Sequence, residues 1–247
     1  MENKQQKKVS LILTTFNCAD NLEKTLESIE GQDYPNIEVV IKDGGSTDGT
    51  LEIIEKYKQS SQNPVIAKSQ KDTGIYDAMN QGYVMSTGDI IAFFNDVFTE
   101  ISAVSKLVNA LNDDYVGTHA DLVYKDGERI VRKWHMGNGT IYQGWLPGHP
   151  TLFLKREIFE KYGLFDTSYR ISADYEFMIR FLKDKENKLA YVPETLVSMF
   201  YGGTSSGGLR SYIRSLLEGH SGLKKNHIRM AWWIDIRRTL RVLGQFF

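Results

Sequence analysis

Gly74-Ile75-Tyr76-Asp77-Ala78-Met79-Asn80, followed by Asp89-Ile90-Ile91-Ala92-Phe93-Phe94-Asn95-Asp96, decides how this chain folds. The first stretch reads as a helix opening after a glycine. The second is an unbroken apolar run between polar residues, the pattern of a strand buried on both faces. That strand delivers Asn95 and Asp96 at its carboxyl end. In an open parallel sheet, ligands bind in the crevice outside the carboxyl ends of the strands, so the stretch points to a polar ligand site.

Working outward, the N-terminal half repeats this pattern. Val9 to Thr15 is short, apolar and β-branched, and runs into Phe16-Asn17. Leu22, Leu26 and Ile29 then recur at helical spacing. Ile37 to Ile41 predicts a second strand, ending in Asp43-Gly44-Gly45-Ser46-Thr47-Asp48-Gly49-Thr50. A helix carrying Leu51, Ile54 and Tyr57 leads to a third strand over Val65 to Ala67, with Asp72 beyond it. Tyr76 to Met85 is the next helix and Ile90 to Phe94 the fourth strand. Strands alternating with helices imply an α/β fold with a parallel sheet covered on both faces.

After Asp96 the texture changes. Ile101 to Leu111 predicts an amphipathic helix, and Leu122 to Lys133 a hairpin turning at Asp126-Gly127. A Gly- and aromatic-rich loop runs from Gly137 to Pro150. Helices follow over Lys155 to Tyr162 and Asp174 to Leu182, then a strand over Leu189 to Val197. Gly202 to Gly208 reads as flexible, and the tail from Leu209 as helical and basic.

Composition narrows the class. The chain has 247 residues, 41% hydrophobic and 25% charged, with a net charge of -1, as in a globular domain with no electrostatic footprint for nucleic acid. Cys18 is the only cysteine, which excludes an internal disulfide and suits a reducing, cytoplasmic compartment. The apolar run Val9 to Leu13 after Lys7 and Lys8 is too short for a signal peptide. No apolar stretch is long enough to span a bilayer.

Each early strand ends in polar residues: Thr15-Phe16-Asn17, then Asp43, then Asp72, then Asn95-Asp96. Such an edge suits a nucleotide with its ribose and phosphates. Carboxylates bind ribose hydroxyls or a base N–H, and Phe16 offers a face for stacking. Taken singly, Asp43 and Thr47 also serve turn and N-cap needs, and Thr15 and Asn17 also serve to start the next helix. Neither G-x-G-x-x-G nor a P-loop is present, which argues against a dinucleotide oxidoreductase or a P-loop kinase.

The ordered set of Val9 to Asn17, Asp43 to Thr50, Gly74 to Asn80, Gly148-His149-Pro150-Thr151 and Ala173-Asp174-Tyr175-Glu176 resembles family-2 glycosyltransferases of the GT-A fold, a Rossmann-like mixed sheet with helices on both faces. The likeness is to bacterial polysaccharide enzymes of the colanic-acid and O-antigen type. It implies a domain over 1–208, with a nucleotide-sugar half (about 1–97) and an acceptor half (about 98–208), followed by the tail over 209–247. It implies a nucleotide-diphosphate sugar donor and a glycan or lipid-linked acceptor. Thr15, Phe16 and Asn17 match the positions that meet base and ribose, and Asp43 the acid that reads the base. Asp72, Asp77 and Asn95 fall along the donor cleft. Asp174 matches the catalytic base, in the first turn of a helix where the dipole favours negative charge. Glu176 is the competing carboxylate. His149, Gly203 and Thr204 fall near the diphosphate and the acceptor.

The chemistry requires such groups. In an inverting displacement the acceptor hydroxyl loses its proton as it attacks, and a positioned carboxylate takes it. The leaving diphosphate is usually neutralised by Mg²⁺ or Mn²⁺. Here the sequence departs from the family, whose Asn-Ser-Asp-Asp is replaced by Phe94-Asn95-Asp96-Val97-Phe98. Asp96 is then the expected metal ligand with Asn95 as its weaker partner, since one carboxylate plus phosphate and water suffices for these cations. The shortened motif also leaves room for a non-catalytic homologue that binds sugar nucleotide beside another transferase. A nucleotidyltransferase would carry a Gly-rich basic loop where this chain has Asn17-Cys18-Ala19-Asp20.

In the tail, Trp232, Ile236, Leu240, Leu243 and Phe247 form one apolar stripe, with Arg237, Arg238 and Arg241 predicted on the other side. This is the pattern of a helix lying on a membrane surface, here the inner face. The alternative covers the stripe with the catalytic domain or with a second copy in a homodimer.

Overall fold

The computed structural model describes residues 6–201 and 208–243. Among them one nine-stranded sheet organises the chain. Its first part is the expected alternation: β1 (Val9–Thr15), α1 (Ala19–Glu30), β2 (Ile37–Asp43), α2 (Thr50–Ser60), β3 (Val65–Ser69), α3 (Ile75–Met85) and β4 (Ile90–Phe93). Strands β3, β2, β1 and β4 lie side by side and are parallel. Leu11, Ile12 and Leu13 are fully buried because helices cover both faces, and each contributes about 1.5–3 kcal/mol of apolar burial. Leu22, Leu26 and Ile29 form the buried stripe of α1.

Beyond β4 the chain runs through β5 (Val97–Phe98), α4 (Ala103–Asn109), β6 (Gly117–Asp126), β7 (Arg129–Trp134), β8 (Phe153–Lys155), α5 (Arg156–Tyr162), α6 (Ala173–Leu182) and β9 (Leu189–Phe200). The sheet order is β3-β2-β1-β4-β8-β6-β9-β5, with β7 paired to β6. Both β4–β8 and β8–β6 are antiparallel, and β6–β9 is parallel. The sheet is therefore mixed, with the two halves joined edge to edge. The expected hairpin turns where predicted, but its first strand begins at Gly117 rather than Leu122. The helix expected from Ile101 is shorter than expected, since Ile101 is exposed.

Register sets the carboxyl edge. Thr15 pairs with Asp43, and Asp43 with Ser69. The pairing of Ile12 with Phe93 brings Thr14 beside Asn95. At the opposite end, buried Glu38 locks the strand starts. It accepts hydrogen bonds from Ser10 Oγ at 2.6 Å, Thr87 Oγ1 at 2.7 Å and the Gly88 N–H at 3.1 Å, and pairs with Lys8.

The tail is two helices, α7 (Gly208–Lys225) and α8 (Ala231–Leu243). It packs onto the rest of the chain. Leu223, Ile228, Ala231 and Ile234 share a buried cluster with Ile141 and with Ile179 of α6. No helix among the described residues is long and apolar enough to cross a membrane.

Candidate active site

The donor side is built from strand ends. Asp43 is 1% exposed and both of its oxygens are engaged. Oδ1 accepts from Thr15 Oγ1 at 3.0 Å and Ser46 Oγ at 2.5 Å; Oδ2 accepts from the Gly45 and Ser46 amides at 2.8 and 2.9 Å and from Ser69 Oγ at 2.6 Å. Burial raises this carboxyl, but the hydrogen bonds outweigh it and hold it below its ordinary value. Its turn-forming role is thus realised. Asn17, at φ 46°, accepts the Thr47 N–H at 2.9 Å on its side-chain oxygen. These bonds fix the loop geometry and leave Phe16 65% exposed at the edge.

Gly44 shows what converges beside Phe16. A Cβ there would stand 2.8 Å from Asp72 Oδ2 and 3.3 Å from the Phe16 ring, so the absent side chain is what leaves this corner open. Asp72 Oδ1 accepts the Gly74 N–H at 3.0 Å, and the fully buried Lys42 ammonium lies 3.5 Å from its Oδ2. Lys42 also donates to the carbonyls of Asp43 and Gln70 at 2.7 and 2.6 Å. A buried cation under the donor corner is a feature that a lone lysine in an apolar strand does not announce.

The stretch Gly74 to Asn80 works as a bridge. Gly74 adopts φ 142°, which favours glycine, and α3 starts from it. Asp77 Oδ2 turns back to accept from the amide and hydroxyl of Thr73 at 2.9 and 3.0 Å. Tyr76 and Asn80, four apart, lie on one helix face and reach the other half. Asn80 donates to the Phe165 carbonyl at 2.9 Å and accepts the Phe165 N–H at 3.0 Å. The Tyr76 hydroxyl lies 2.6 Å from the Ile171 carbonyl and 2.9 Å from Asp174 Oδ1. Burial, then the nearby Asp174 charge, pushes the phenol far above its ordinary pKa, so it stays protonated. Sequence reasoning missed both residues, because an aromatic at helical spacing reads as core, and Tyr76 is also core.

Asp174 lies partly exposed in the first turn of α6. Its rival Glu176 is fully buried. Glu176 pairs with Arg180 and accepts from Asn226 Nδ2 at 2.8 Å, while Arg180 donates to the carbonyls of Tyr162 and Leu164 at 2.7 and 2.9 Å. Glu176 is a strut, which removes it as a base. His149 stacks on Phe93 with ring centres 5.8 Å apart. Its Nε2 is buried without a hydrogen-bond partner. Burial lowers its pKa, partly opposed by the Asp174 charge, so the ring is neutral near pH 7.

Past Phe93, Asn95 is occupied with Thr14. Its oxygen accepts the Thr14 N–H at 2.9 Å and its amide donates to Thr14 Oγ1 at 3.0 Å. Asp96 is 9% exposed. Burial pushes it up to about 7, against a hydrogen bond accepted from the Phe200 N–H. No group of three metal-ligating side chains occurs among the described residues. Asp96 is a single, largely buried carboxylate, so a cation here would be carried mainly by substrate phosphates and water. They do not form an all-protein cage. Gly203 and Thr204 lie outside the described residues.

The loop 137–150 is anchored. Asp121 accepts from the Met136 N–H at 2.7 Å and Tyr191 hydroxyl at 2.8 Å, and its Oδ2 lies 2.9 Å from His135 Nδ1. Trp145 Nε1 donates to the Met136 carbonyl at 2.9 Å. In α8, Arg238 is not on a free face: it covers the Tyr175 ring at 4.0 Å and donates to Ser215 Oγ at 3.0 Å. Burial of Ala231 and Ile234 turns Trp232, Ile236 and Leu240 outward, at 59%, 44% and 62% exposure. The expected stripe is thus uncovered. The side chain of Leu243 and all of Phe247 lie outside the described residues.

A parallel run of strands with polar carboxyl ends, continued edge to edge into a mixed sheet with helices on both faces, is the fold of a GT-A glycosyltransferase. The chain belongs to glycosyl transferase family 2, whose model matches residues 10–214. It is 30% identical over 206 residues to a PGL/p-HBAD biosynthesis glycosyltransferase of Mycobacterium tuberculosis, covering 80% of this chain and 78% of the relative. It is 24% identical over 257 residues to a dolichyl N-acetyl-alpha-D-glucosaminyl phosphate 3-beta-D-2,3-diacetamido-2,3-dideoxy-beta-D-glucuronosyltransferase of Methanococcus voltae, covering 91% of this chain and 76% of that one. Among solved structures, S. aureus TarS 1-349 in complex with UDP-GlcNAc aligns over 96% of this chain and 73% of its own, with TM-score 0.73 and 17% identity. Mannosyltransferase PcManGT from Pyrobaculum calidifontis, in complex with GDP-Man and Mn²⁺, aligns over 98% and 75%, with TM-score 0.68 and 18% identity.

Proposed function

We propose that the protein transfers a sugar from a nucleotide-diphosphate donor to a hydroxyl of a glycan or lipid-linked acceptor, with inversion, in cell-envelope polysaccharide synthesis. The observation that supports this is the hydrogen bond from Tyr76 to Asp174, which ties the carboxylate to the helix that follows Asp72 and Gly74. Asp174 takes the acceptor proton as the hydroxyl attacks the anomeric carbon. Phe16 stacks on the base. Thr15, Asn17 and Asp43 shape its loop; Asp43 is buried with both oxygens engaged inside the fold, so it supports the loop and does not read the base as the resemblance implies. Asp72, Asp77 and Asn95 line the path of ribose and sugar, and His149 lies toward the diphosphate and acceptor, the role the sequence resemblance also gives Gly203 and Thr204.

Asp96 would hold Mg²⁺ or Mn²⁺, which when bound neutralises the leaving diphosphate. The Mn²⁺ complex of PcManGT and the UDP-GlcNAc complex of TarS are the precedents among similar folds. The non-catalytic alternative has the shortened Asn95-Asp96 motif in its favour, but offers no reason for the hydrogen bond that holds Asp174.

The exposed row Trp232, Ile236 and Leu240, with Ile213 and Leu217 of α7 also exposed, supports peripheral contact with an inner membrane face carrying the acceptor. Donor class is tested by thermal shift with UDP-, GDP- and dTDP-sugars, with and without Mn²⁺. One nucleotide class that stabilises the protein only with metal supports the reading; no shift with any of them sinks it. Inversion is tested by the anomer released first on donor hydrolysis, read by NMR.

A further inference from the structure

Glu218 lies in α7, beyond residue 214 where the family match ends. Its Oε2 accepts three successive backbone N–H groups, from Arg170 at 3.1 Å, Ile171 at 2.8 Å and Ser172 at 3.0 Å. Successive amides converging on one point form an anion nest, and here a side chain of the tail fills it. Those residues lead directly into α6, whose first turn carries Asp174. Both polar groups of Ile171 are pinned: its N–H by Glu218 and its carbonyl by Tyr76. Ser172 Oγ lies 3.3 Å from Ser215 Oγ, which accepts from Arg238 of α8.

We propose that Glu218 is a positioning residue for Asp174, so that the C-terminal tail is part of the catalytic apparatus. The inference rests on Asp174 being the base. Without an acceptor, three amides at a helix start are orphaned, and the segment loses the geometry that aims the carboxylate. A misplacement of about 1 Å at a reacting group costs on the order of 10²-fold in rate. The Gln variant keeps an oxygen that accepts the same N–H groups; the Ala variant keeps none.

The test uses the full chain and hydrolysis of the donor found by thermal shift, with Kd for the nucleoside diphosphate alone as the second readout. Glu218→Ala should lower kcat about 10- to 100-fold with that Kd within twofold, and Glu218→Gln should recover most of the loss. In an Asp174→Asn background, Glu218→Ala should change kcat by less than about twofold. Wild-type kcat in Glu218→Ala overturns the proposal. So does an equal loss with and without Asp174, or a parallel loss of nucleotide affinity. If Glu218→Ala does not fold, the Gln variant decides: kcat as low as in Asp174→Asn overturns it. Wild-type kcat in Asp174→Asn alone would refute the base itself, whatever Glu218 does.

Discussion

The Tyr76 hydroxyl oxygen lies 2.9 Å from Oδ1 of Asp174, across 98 positions of sequence. One residue belongs to α3 and the other to the first turn of α6, so this contact registers the two helices against each other. The phenol has one proton and two acceptors in range, Asp174 and the Ile171 carbonyl. Tyr76→Phe removes only that hydroxyl. A hydrogen bond to a charged group contributes about 1.5–3 kcal/mol, so kcat should fall about 10-fold or more while nucleotide affinity holds. Steady-state hydrolysis beside nucleotide titration checks this; a matching fall in affinity would contradict it.

Asp96 separates stability from metal use. Burial makes its ionised form unfavourable in the fold. With metal chelated, Asp96→Asn should raise Tm at neutral pH, by the equivalent of about 1–3 kcal/mol. The same variant should lose most of the extra stabilisation that Mn²⁺ gives a nucleoside diphosphate complex. Differential scanning fluorimetry reads both effects. An unchanged metal-dependent shift would remove Asp96 as the ligand.

Glu38 gives a pH signature away from the site. Burial raises its pKa, but Lys8, Ser10 and Thr87 overcome this and bring it to about 2. A depressed folded value stabilises above the unfolded pKa of about 4.3, and the benefit is lost as pH falls from there towards 2. Glu38→Gln should cost about 3 kcal/mol at pH 7 and much less near pH 2.5, with kcat unchanged for the folded protein. Urea titrations at the two pH values measure it; an equal cost at both would refute the assignment.

The exposed tail row makes a fourth prediction. Because Trp232 and Leu240 are mostly exposed, the double change to Ser should leave Tm within a few degrees. It should reduce co-sedimentation with anionic vesicles several-fold, since apolar insertion and basic attraction act together. Equal binding by both proteins, or none by either, would count against membrane contact.

Much of this arrangement was legible in the chain. Strands β1 to β4 follow from apolar runs, and their polar ends from the residues after them. Asp174 was readable because a motif surrounds it. Local pattern could not reveal β8, three residues between β6 and β4 in the sheet, because its pairing depends on distant register. Tyr76 and Asn80 looked like one helix's own business, and Glu218 like one of two acids in a basic tail. Their partners lie 46 to 98 positions away, a range that periodicity does not encode. Arg238 was assigned to an open face because the tail's packing on Tyr175 could not be foreseen.

The central claim is that Asp174 is the base. Asp174→Asn keeps shape and the ability to accept from Tyr76, but not basicity. Single-turnover donor hydrolysis in the presence of Mn²⁺, alongside nucleotide Kd, tests it most directly. The account predicts a loss on the order of 10²- to 10⁴-fold in rate with Kd nearly unchanged. A rate equal to that of the unmodified protein would contradict it.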